Sequence, residues 1–195
     1  LSDSELFRAW RGGDGNAGHQ LFNRHFDAIY RFFRNKLDTD VEDLVQRTFT
    51  ACVEGRDRFR EESSFRTFLF AVAHNLLKEH LRRKRRSPEP LDLDAVSAVD
   101  LGASPLSIMA ARSEEKILLQ ALRQIPIASQ TVLELYFWEK MTGGEIGDLL
   151  GVPEDTARSR LRKAKALLEA AIQRVAAAPH DVQSTLSNLD QWAAA

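Results

Sequence analysis

Residues 142–168, TGGEIGDLLGVPEDTARSRLRKAKALL, decide the fold of the second half of the chain. Thr142 can cap a first helix that ends at Leu150, because its hydroxyl can accept a hydrogen bond from a free amide of the first turn. Gly151 can supply the tight turn that follows, and Pro153 suits the start of a second helix. Two helices joined by so short a turn indicate a helix-turn-helix motif.

The second helix of the motif, which extends to about Val175, has an apolar side and a basic side. The helical repeat predicts a buried stripe formed by Ala157, Leu161, Ala164 and Leu168. Polar and basic residues lie on or beside the other side, namely Thr156, Arg158, Ser159, Arg160, Arg162 and Lys163. Five basic residues and no acidic ones occur from position 156 to 165. This pattern favours a helix lying between DNA phosphates with its first turns at base edges, and an ordinary solvated helix is the alternative.

Helical periodicity also dominates the first half of the chain. Apolar residues recur every three or four positions and runs of alternating β-branched residues are absent, so the whole chain is predicted to be all-α. Four helices are expected up to residue 86: residues 2–11, a helix from about Ala17, one capped by Thr39, and one capped by Ser63 or Ser64. The last three should bury Phe22, Phe26, Ile29, Phe33 and Leu37, then Val41, Leu44, Val45, Phe49, Cys52 and Val53, then Phe65, Phe68, Leu69, Val72, Leu76 and Leu81.

Charge and proline content divide the chain into two parts. Residues 1–86 carry 17 basic and 13 acidic side chains, whereas residues 87–112 carry one basic and four acidic ones and contain three prolines. Since proline interrupts helices, the second stretch is predicted to be a flexible acidic linker. The expected architecture is therefore two small helical domains, residues 1–86 and 113–177, joined by this linker. The tail at 178–195 is either a short amphipathic helix or disordered, and its role stays open.

Basic and aromatic residues mark a second candidate nucleic-acid surface, in the first domain. The expected fourth helix continues into the basic run at 82–86, which suits contact with phosphates, although a disordered basic linker is the alternative. The loop at 56–64 combines basic residues with Phe59, a combination that can hold unpaired bases, but Phe59 fits a core position as well. The candidate contacts are Arg58, Phe59, Asn75, Lys78, Arg82, Arg83, Arg85 and Arg86.

Composition and motifs argue against several other classes of function. The chain has 44% hydrophobic residues but no apolar run near 20 residues, so it is predicted to be a folded, cytoplasmic protein with no membrane insertion. His74 and His80 lack the spacing of a zinc motif and fit helix-surface positions, and the lone Cys52 fits a buried position. The glycines at 12–18 lack the lysine and hydroxyl residue of a phosphate-binding loop. No enzyme activity, cofactor or metal site is expected.

Three stretches resemble the extracytoplasmic-function (ECF) group of the sigma-70 family, whose members direct bacterial RNA polymerase to promoters. They are 40–49 (DVEDLVQRTF), 65–76 (FRTFLFAVAHNL) and 156–161 (TARSRL), and the resemblance extends over about residues 4–172. It implies that the first stretch docks on the polymerase clamp, that the second melts and binds the minus-ten element, and that the third opens the recognition helix for the minus-thirty-five element. The implied polymerase contacts are Asp40, Asp43, Leu44, Gln46 and Phe49.

The resemblance also implies partners and a mode of action, which is promoter recognition, promoter melting and initiation of transcription. The implied partners are core RNA polymerase, through its clamp and flap regions, and promoter DNA. An anti-sigma protein is a further candidate, and the chain is expected to act as a monomer on polymerase. The rival hypothesis is a free-standing, dimeric helix-turn-helix regulator, which would bind duplex DNA alone. The acidic and polar helix around Asp43 favours polymerase docking.

Departures from the family pattern bear on the same surfaces. Phe68 stands where tryptophan is usual, and His74 stands where arginine is common, which changes the side chains available at those positions. Gly143, Gly144 and Gly147 place three glycines in the first helix of the helix-turn-helix. A glycine inside a helix costs about 1 kcal/mol relative to alanine. Gly147 either allows close packing against the recognition helix or is merely tolerated.

Overall fold

The computed structural model describes residues 1–84, 91–104, 113–176 and 183 of the chain. In these ranges the architecture consists of α-helices, one short 3-10 turn at Arg56–Arg58 and no β-strand, which confirms the all-α prediction. The helices are α1 (Asp3–Arg11), α2 (Gly15–Arg34), α3 (Val41–Gly55), α4 (Phe65–Lys84), α5 (Ser113–Gln124), α6 (Ile127–Phe137), α7 (Gly143–Leu150) and α8 (Glu154–Val175). The predicted tail, apart from residue 183, and the prolines of the linker lie outside the described residues.

Side-chain caps explain where several helices begin. Ser2 caps α1 and Asp14 caps α2, each by accepting hydrogen bonds from amides of the first turn. Ser64 Oγ accepts a hydrogen bond from the amide of Thr67 at 3.1 Å, so Ser64, rather than Ser63, caps α4. Each cap satisfies amides that the first helical turn leaves free.

The start of α3 differs from the prediction that Thr39 caps it. Asp40 occupies the cap position in a left-handed conformation with a φ of 65°, and its side chain makes no capping hydrogen bond to the first turn of α3. Thr39 Oγ1 instead donates a hydrogen bond to Asp40 Oδ2 at 2.9 Å, so this hydroxyl does not cap α3. Glu42 and Asp43 do lie in the first turn, where the helix dipole favours negative charge.

Helices α1 to α4 enclose an apolar core. Its members include Leu6, Phe7, Leu21, Ile29, Phe33, Leu44, Leu69 and Leu77. Two residues that the spacing assigns to this core, Phe26 and Val53, are instead 47% and 48% exposed. They border an open groove between α2 and α3, and the prediction that they are buried is therefore wrong.

The buried face of α4 is wider than its apolar spacing predicts. Phe68, Val72 and Leu76 are only half-buried, while Phe70 and His74 are buried. Helix α4 packs against α2, α3 and α7, and the Phe70 ring lies edge-on against Phe32 of α2. The helix-surface position predicted for His74 is thus wrong. Burial lowers the pKa of His74 to about 4, so its imidazole is neutral near pH 7.

Helices α5, α6 and α8 form a second apolar core, and α7 packs against α8. This core includes Leu118, Ala121, Leu122, Leu133, Ala164, Leu168 and Ile172. Of the stripe predicted on α8, Ala157, Ala164 and Leu168 are buried and Leu161 is partly buried. The apolar side of α8 therefore faces the core and leaves its basic side in solvent.

Residues 91–104 lie against the junction of α5 and α6, although composition predicts a flexible linker there. The amide of Ile127 donates to Val96 O at 2.9 Å, and the amide of Ala128 donates to Leu93 O at 3.0 Å. Ala98 in this segment is buried. Backbone hydrogen bonds to the start of α6 thus hold the segment, a constraint that composition does not reveal.

Candidate nucleic-acid surfaces and docking groove

The helix-turn-helix forms from the caps that the sequence indicates. Thr142 Oγ1 accepts a hydrogen bond from the amide of Glu145 at 3.2 Å, and Glu145 Oε2 accepts one from the amide of Thr142 at 2.8 Å. Gly151 ends α7 in the left-handed region with a φ of 67°. The amide of Val152 then donates to Gly147 O at 2.9 Å, and α8 follows. The turn thereby fixes α8 relative to α7.

Gly147 marks the closest approach between α7 and the turn. A Cβ atom at this position would lie 2.7 Å from Val152 O and 3.4 Å from the amide nitrogen of Glu154. Both neighbours are backbone atoms, so the chain itself would have to shift. Close packing is therefore the reason for Gly147. At Gly144 the nearest atom would be 3.8 Å away, so glycine is only tolerated there.

Gly147→Ala and Gly144→Ala should have opposite effects on stability. We expect Gly147→Ala to lower the free energy of unfolding by about 1–3 kcal/mol, because the added methyl overpacks against backbone. Gly144→Ala should raise it by up to about 1 kcal/mol, since alanine is the better helix former and its methyl would meet only side-chain atoms at ordinary contact distances of 3.8 Å or more. Urea unfolding followed by circular dichroism measures both changes. Equal stabilities for the two variants would contradict the packing role of Gly147.

The basic side of α8 is accessible. Thr156, Arg158, Ser159, Arg162 and Lys163 are exposed, and Arg160 is partly exposed. Arg158 Nε donates to Glu154 Oε1 at 2.9 Å, and Arg158 Nη2 donates to the same oxygen at 2.5 Å. Any base or phosphate that binds Arg158 must compete with this carboxylate.

The loop after α3 and the start of α4 form a concave surface. Its lining includes Arg58, Phe59, Arg60, Thr67, Phe68, Asp148 and Leu149. The Phe59 ring stacks on Phe68 at a centroid distance of 4.6 Å and packs edge-on against Phe7 at 5.1 Å. Phe59 is half-buried. Its ring therefore packs on the core, as the core alternative predicts, and its other side lines the concave surface.

The other predicted DNA contacts in the first group of helices, α1 to α4, lie along α4. Asn75, Lys78, Arg82 and Arg83 are exposed, and Arg83 forms an ion pair with Glu79. Arg85 and Arg86 lie outside the described residues. The second half of α4 thus carries an exposed polar and basic strip.

An apolar groove lies between α2 and α3. Its lining includes Phe22, Phe26, Tyr30, Val45, Gln46, Phe49 and Val53. The rings of Phe26 and Phe49 are nearly parallel, with centroids 6.3 Å apart and 7° between their planes. Because Phe26 and Val53 expose almost half of their surface, the groove presents apolar area to solvent. Such patches are typical of interaction sites.

The residues predicted to contact polymerase occupy different environments. Gln46 and Phe49 line the groove. Asp40 and Asp43 are exposed at the start of α3. Leu44 is fully buried in the core, so the prediction of a direct contact is wrong for Leu44. Four of the five side chains are therefore accessible to a partner.

The described residues form neither a metal-binding cluster nor an accessible thiol. Within the described part of the chain, no group of three or more His, Cys, Asp or Glu residues is placed to hold a metal ion. Burial raises the pKa of the Cys52 thiol to about 12, so this thiol stays protonated and unreactive. Among the helices in the described ranges, none combines the length and apolar character that a membrane crossing requires.

Two family models match the chain, one on helices of the first group (α1 to α4) and one on the second group (α5 to α8). Sigma-70 region 2 matches residues 21–87, and Sigma-70 region 4 matches residues 115–168. The chain belongs to the sigma-70 family. The groove, the concave surface and α4 fall largely within the region 2 match, and the helix-turn-helix with most of α8 falls within the region 4 match.

Curated relatives of this sigma factor belong to the ECF group. The ECF RNA polymerase sigma-E factor of Haemophilus influenzae is 27% identical over 182 residues, covering 89% of this chain and 96% of the relative. The ECF RNA polymerase sigma-E factor of Escherichia coli K12 is 26% identical and covers 89% of this chain and 95% of the relative. Both regions are present in order across nearly the whole length. The chain is thus an ECF-type sigma factor rather than a free-standing helix-turn-helix regulator.

Two solved structures are similar to this chain in fold. CnrH, in complex with the cytosolic domain of CnrY, is 26% identical with a TM-score of 0.66, covering 89% of this chain and 99% of CnrH. The sigma factor RpoE from Bartonella quintana, in complex with the anti-sigma factor NepR, is 18% identical with a TM-score of 0.61. It covers 80% of this chain and 96% of RpoE, and at this identity the likeness concerns the fold alone.

Proposed function

We propose that this sigma factor recruits core RNA polymerase through the groove between α2 and α3, and places it on promoters through the loop at 56–64, α4 and α8. The exposed apolar groove beside the acidic start of α3 carries this proposal. Exposed apolar patches are typical of protein–protein interaction sites, so this surface favours a protein partner in addition to DNA. The chain acts by binding, as a cytoplasmic, non-catalytic initiation factor.

Docking on polymerase would remove the groove from water. Phe26, Phe49 and Val53 offer apolar surface, whose burial contributes about 25 cal/mol per Å². Asp43 and Gln46 are exposed polar groups on the same helix, and polar groups at the edge of an interface fix its orientation. The groove therefore supplies affinity, and the start of α3 supplies specificity.

Promoter DNA would meet two chemically different surfaces. The concave surface around Phe59 and Phe68 combines aromatic rings with Arg58 and Arg60, which suits unpaired bases and their phosphates. The exposed strip of α4 extends the phosphate contacts. Helix α8 presents a basic side from a helix-turn-helix, which suits the major groove of a duplex. The first surface thus fits a melted minus-ten element, and the second fits a double-stranded minus-thirty-five element.

Asp43→Ala and Gln46→Ala are expected to weaken polymerase binding without unfolding α3. Both side chains are exposed, and removing a polar group at an interface edge costs about 1 kcal/mol, which is about fivefold in affinity. Titration of the labelled chain with core polymerase measures this change. Glu169→Ala, an exposed change on α8, is the matched control. Affinity equal to that of the unmodified chain would remove Asp43 and Gln46 from the docking surface.

The proposal as a whole is tested by capture of core polymerase and by transcription. The purified chain should retain core enzyme in a pull-down, and the resulting holoenzyme should initiate from a subset of a promoter library. A chain that ignores core enzyme but binds duplex operators as a stable dimer would overturn the proposal.

We also propose an anti-sigma protein as a regulatory partner. CnrH, to which this chain is similar over 89% of its length, is bound to the cytosolic domain of CnrY. Purification of the tagged chain from its native cells, followed by identification of the proteins bound to it, tests this partner. Recovery with polymerase subunits alone, under every growth condition tried, would argue against it.

A further inference from the structure

Helix α1 contacts the loop at 56–64 at its start, in its middle and near its end. The helix lies outside the Sigma-70 region 2 match, which begins at residue 21. Between its 3-10 turn and α4 the loop has no regular secondary structure, so contacts with neighbouring side chains define its path. Because this loop is proposed to hold unpaired bases, whatever defines its path also defines how it meets the bases.

The first contact is at the start of the loop. Arg56 Nη1 donates to Trp10 O at 3.4 Å, and the Arg56 guanidinium lies 5.4 Å from the centre of the Trp10 ring. A cation over an aromatic ring is attracted by the negative face of the ring. Trp10 is itself buried, so the loop begins against a side chain that the core holds in place.

The second contact is an aromatic cluster in the middle of the loop. The buried Phe7 ring of α1 lies 5.1 Å from the Phe59 ring and 5.7 Å from the Phe65 ring, which belongs to the first turn of α4. Edge-on aromatic pairs of this kind are favourable. They hold the Phe59 ring, whereas Arg58 and Arg60 on either side of it are exposed.

The third contact consists of two ion pairs made by Glu61. Its Oε2 accepts a hydrogen bond from Arg8 Nε at 3.0 Å, and its Oε1 lies 2.7 Å from Arg11 Nη2. Arg8 and Arg11 are about one helical turn apart on α1, and the Arg11 guanidinium lies 5.5 Å from the centre of the Phe7 ring. One helix therefore engages both oxygens of the Glu61 carboxylate.

The backbone of Glu61 is in the left-handed region, with a φ of 58°. Residues with a side chain adopt this region rarely, and those that do cluster at functional sites, where their surroundings hold them. The side chains of Arg8 and Arg11 are 67% and 40% exposed, and ion pairs of exposed groups contribute little to folding stability. Positioning of the loop is therefore a better explanation of this arrangement than stability of the whole fold.

We propose that Glu61 is a positioning residue for recognition of the minus-ten element, through its ion pairs with Arg8 and Arg11. The carboxylate holds the loop at 56–64 on α1, so that the Phe59 ring and the neighbouring arginines meet unpaired bases in one arrangement. A loop that is ordered beforehand loses less conformational entropy on binding, and a fixed arrangement can reject a base that fits it poorly. This inference rests on the proposed assignment of the loop to the minus-ten element.

The geometry favours positioning over a direct contact of Arg8 and Arg11 with DNA. Neither arginine is among the residues that line the concave surface, whereas Arg58, Phe59 and Arg60 are. A phosphate would also have to displace the Glu61 carboxylate from both guanidinium groups. Phosphate contacts carry no sequence information, so a direct contact would change affinity equally for every sequence.

Base discrimination by the holoenzyme tests the proposal. The full chain is combined with core RNA polymerase and mixed with single-stranded oligonucleotides that contain a short randomised segment. Sequencing of the bound fraction identifies the bases that the unmodified holoenzyme prefers. Fluorescence anisotropy then measures the affinities for the preferred oligonucleotide and for its single-base substitutions, and the ratio of these affinities is the base discrimination.

Glu61→Gln removes the charge but keeps the size of the side chain, and it should lower base discrimination about three- to tenfold. Arg8→Gln combined with Arg11→Gln removes the other side of the contact and should cause the same loss. All three substitutions together should cause no greater loss, because each variant lacks the same contact. Additive losses of affinity that are equal for every oligonucleotide would mean that the arginines bind phosphate directly, and would overturn the proposal.

Two further variants separate positioning from general effects of charge and folding. Glu54→Gln makes the same change at an exposed position of α3, outside the loop, and should leave base discrimination unaltered. Glu61→Gly introduces a residue that adopts the left-handed region freely but has no carboxylate, so it should lose discrimination as Glu61→Gln does. In all variants, the affinities for core polymerase and for minus-thirty-five duplex DNA should equal those of the unmodified chain.

The outcomes distinguish a failure of the positioning role from a failure of the proposed function. Full base discrimination in Glu61→Gln or in Glu61→Gly would overturn the positioning role, since the ion pairs would then be dispensable. A loss confined to the Glu61 variants would overturn it as well, because the arginines would then not be the partners that matter. An unmodified holoenzyme that binds every single-stranded oligonucleotide equally would instead overturn the proposed function of the loop.

Discussion

Phe26→Asp combined with Val53→Asp is expected to lower the affinity of the sigma factor for core polymerase by at least about 100-fold. Both residues line the groove and expose almost half of their surface, so the substitutions leave the apolar core intact. On docking, each new carboxylate would lose its hydration against an apolar surface, and a 100-fold loss corresponds to about 2.7 kcal/mol. Fluorescence anisotropy of the labelled chain, titrated with core polymerase, measures the loss.

Leu1→Asp is the control for this experiment. Leu1 is 79% exposed and is not part of the groove lining, so the same change of side chain there should leave polymerase binding unaltered. Thermal unfolding curves of the groove variant and the control should coincide. If the groove variant binds core polymerase as tightly as the unmodified chain, the groove is not the docking site.

Arg158→Ala combined with Lys163→Ala is expected to weaken binding of the holoenzyme to minus-thirty-five duplex DNA by about 10- to 100-fold. An arginine that contacts a base contributes about 1–3 kcal/mol of discrimination against the wrong base. Each lost phosphate contact lowers the magnitude of the slope of log affinity against log salt concentration by about one. Both residues are exposed, so α8 should keep its fold. Binding isotherms at several salt concentrations, on the preferred and on scrambled duplexes, separate the two effects.

Arg174→Ala provides the matched control on the same helix. Arg174 is exposed in the last turn of α8, outside the recognition surface, so its loss removes one positive charge without removing a proposed contact. Glu154→Ala is informative as well, because it releases Arg158 from its carboxylate partner and should strengthen DNA binding. Unaltered promoter selectivity in the double variant would remove Arg158 and Lys163 from the recognition surface.

Signals confined to a few neighbouring residues predicted the helix-turn-helix correctly. Thr142 caps α7 and Gly151 ends it, each through contacts within about one helical turn. The exposed basic side of α8 follows from the helical repeat alone, since Ala157 and Leu168 fix which side is buried. Such local determinants are fully visible in the sequence.

Tertiary packing decided the positions that the sequence did not predict. Phe26 and Val53 have the spacing of core residues, because an apolar face against a groove has the same repeat as one against a core. His74 is buried although its spacing suits the surface of α4, because other helices, among them α2, α3 and α7, pack against α4. Helical spacing identifies an apolar side but not what covers it.

The contact between the two groups of helices has no recognisable trace in the sequence. There the buried Lys36 ammonium donates to the Glu134 carboxylate, and Arg123 donates to Asn35 O at 3.0 Å. Lys36, Arg123 and Glu134 are single charged residues in ordinary helical patterns, where solvent exposure is the usual outcome. Lys36 and Glu134 are 98 positions apart, so no local spacing relates them. Only the folded arrangement brings these charges together.

The hydrogen bonds that hold residues 91–104 to α6 also limit how far the two groups of helices can travel. While that segment stays attached, the two groups of helices are joined by the seven peptide units between Lys84 and Leu91, whose contour length is at most about 25 Å. Detached, the chain from Lys84 to Ser113 can extend to roughly 100 Å. Attachment of this segment to α6 therefore shortens the maximum tether between the two groups of helices about fourfold.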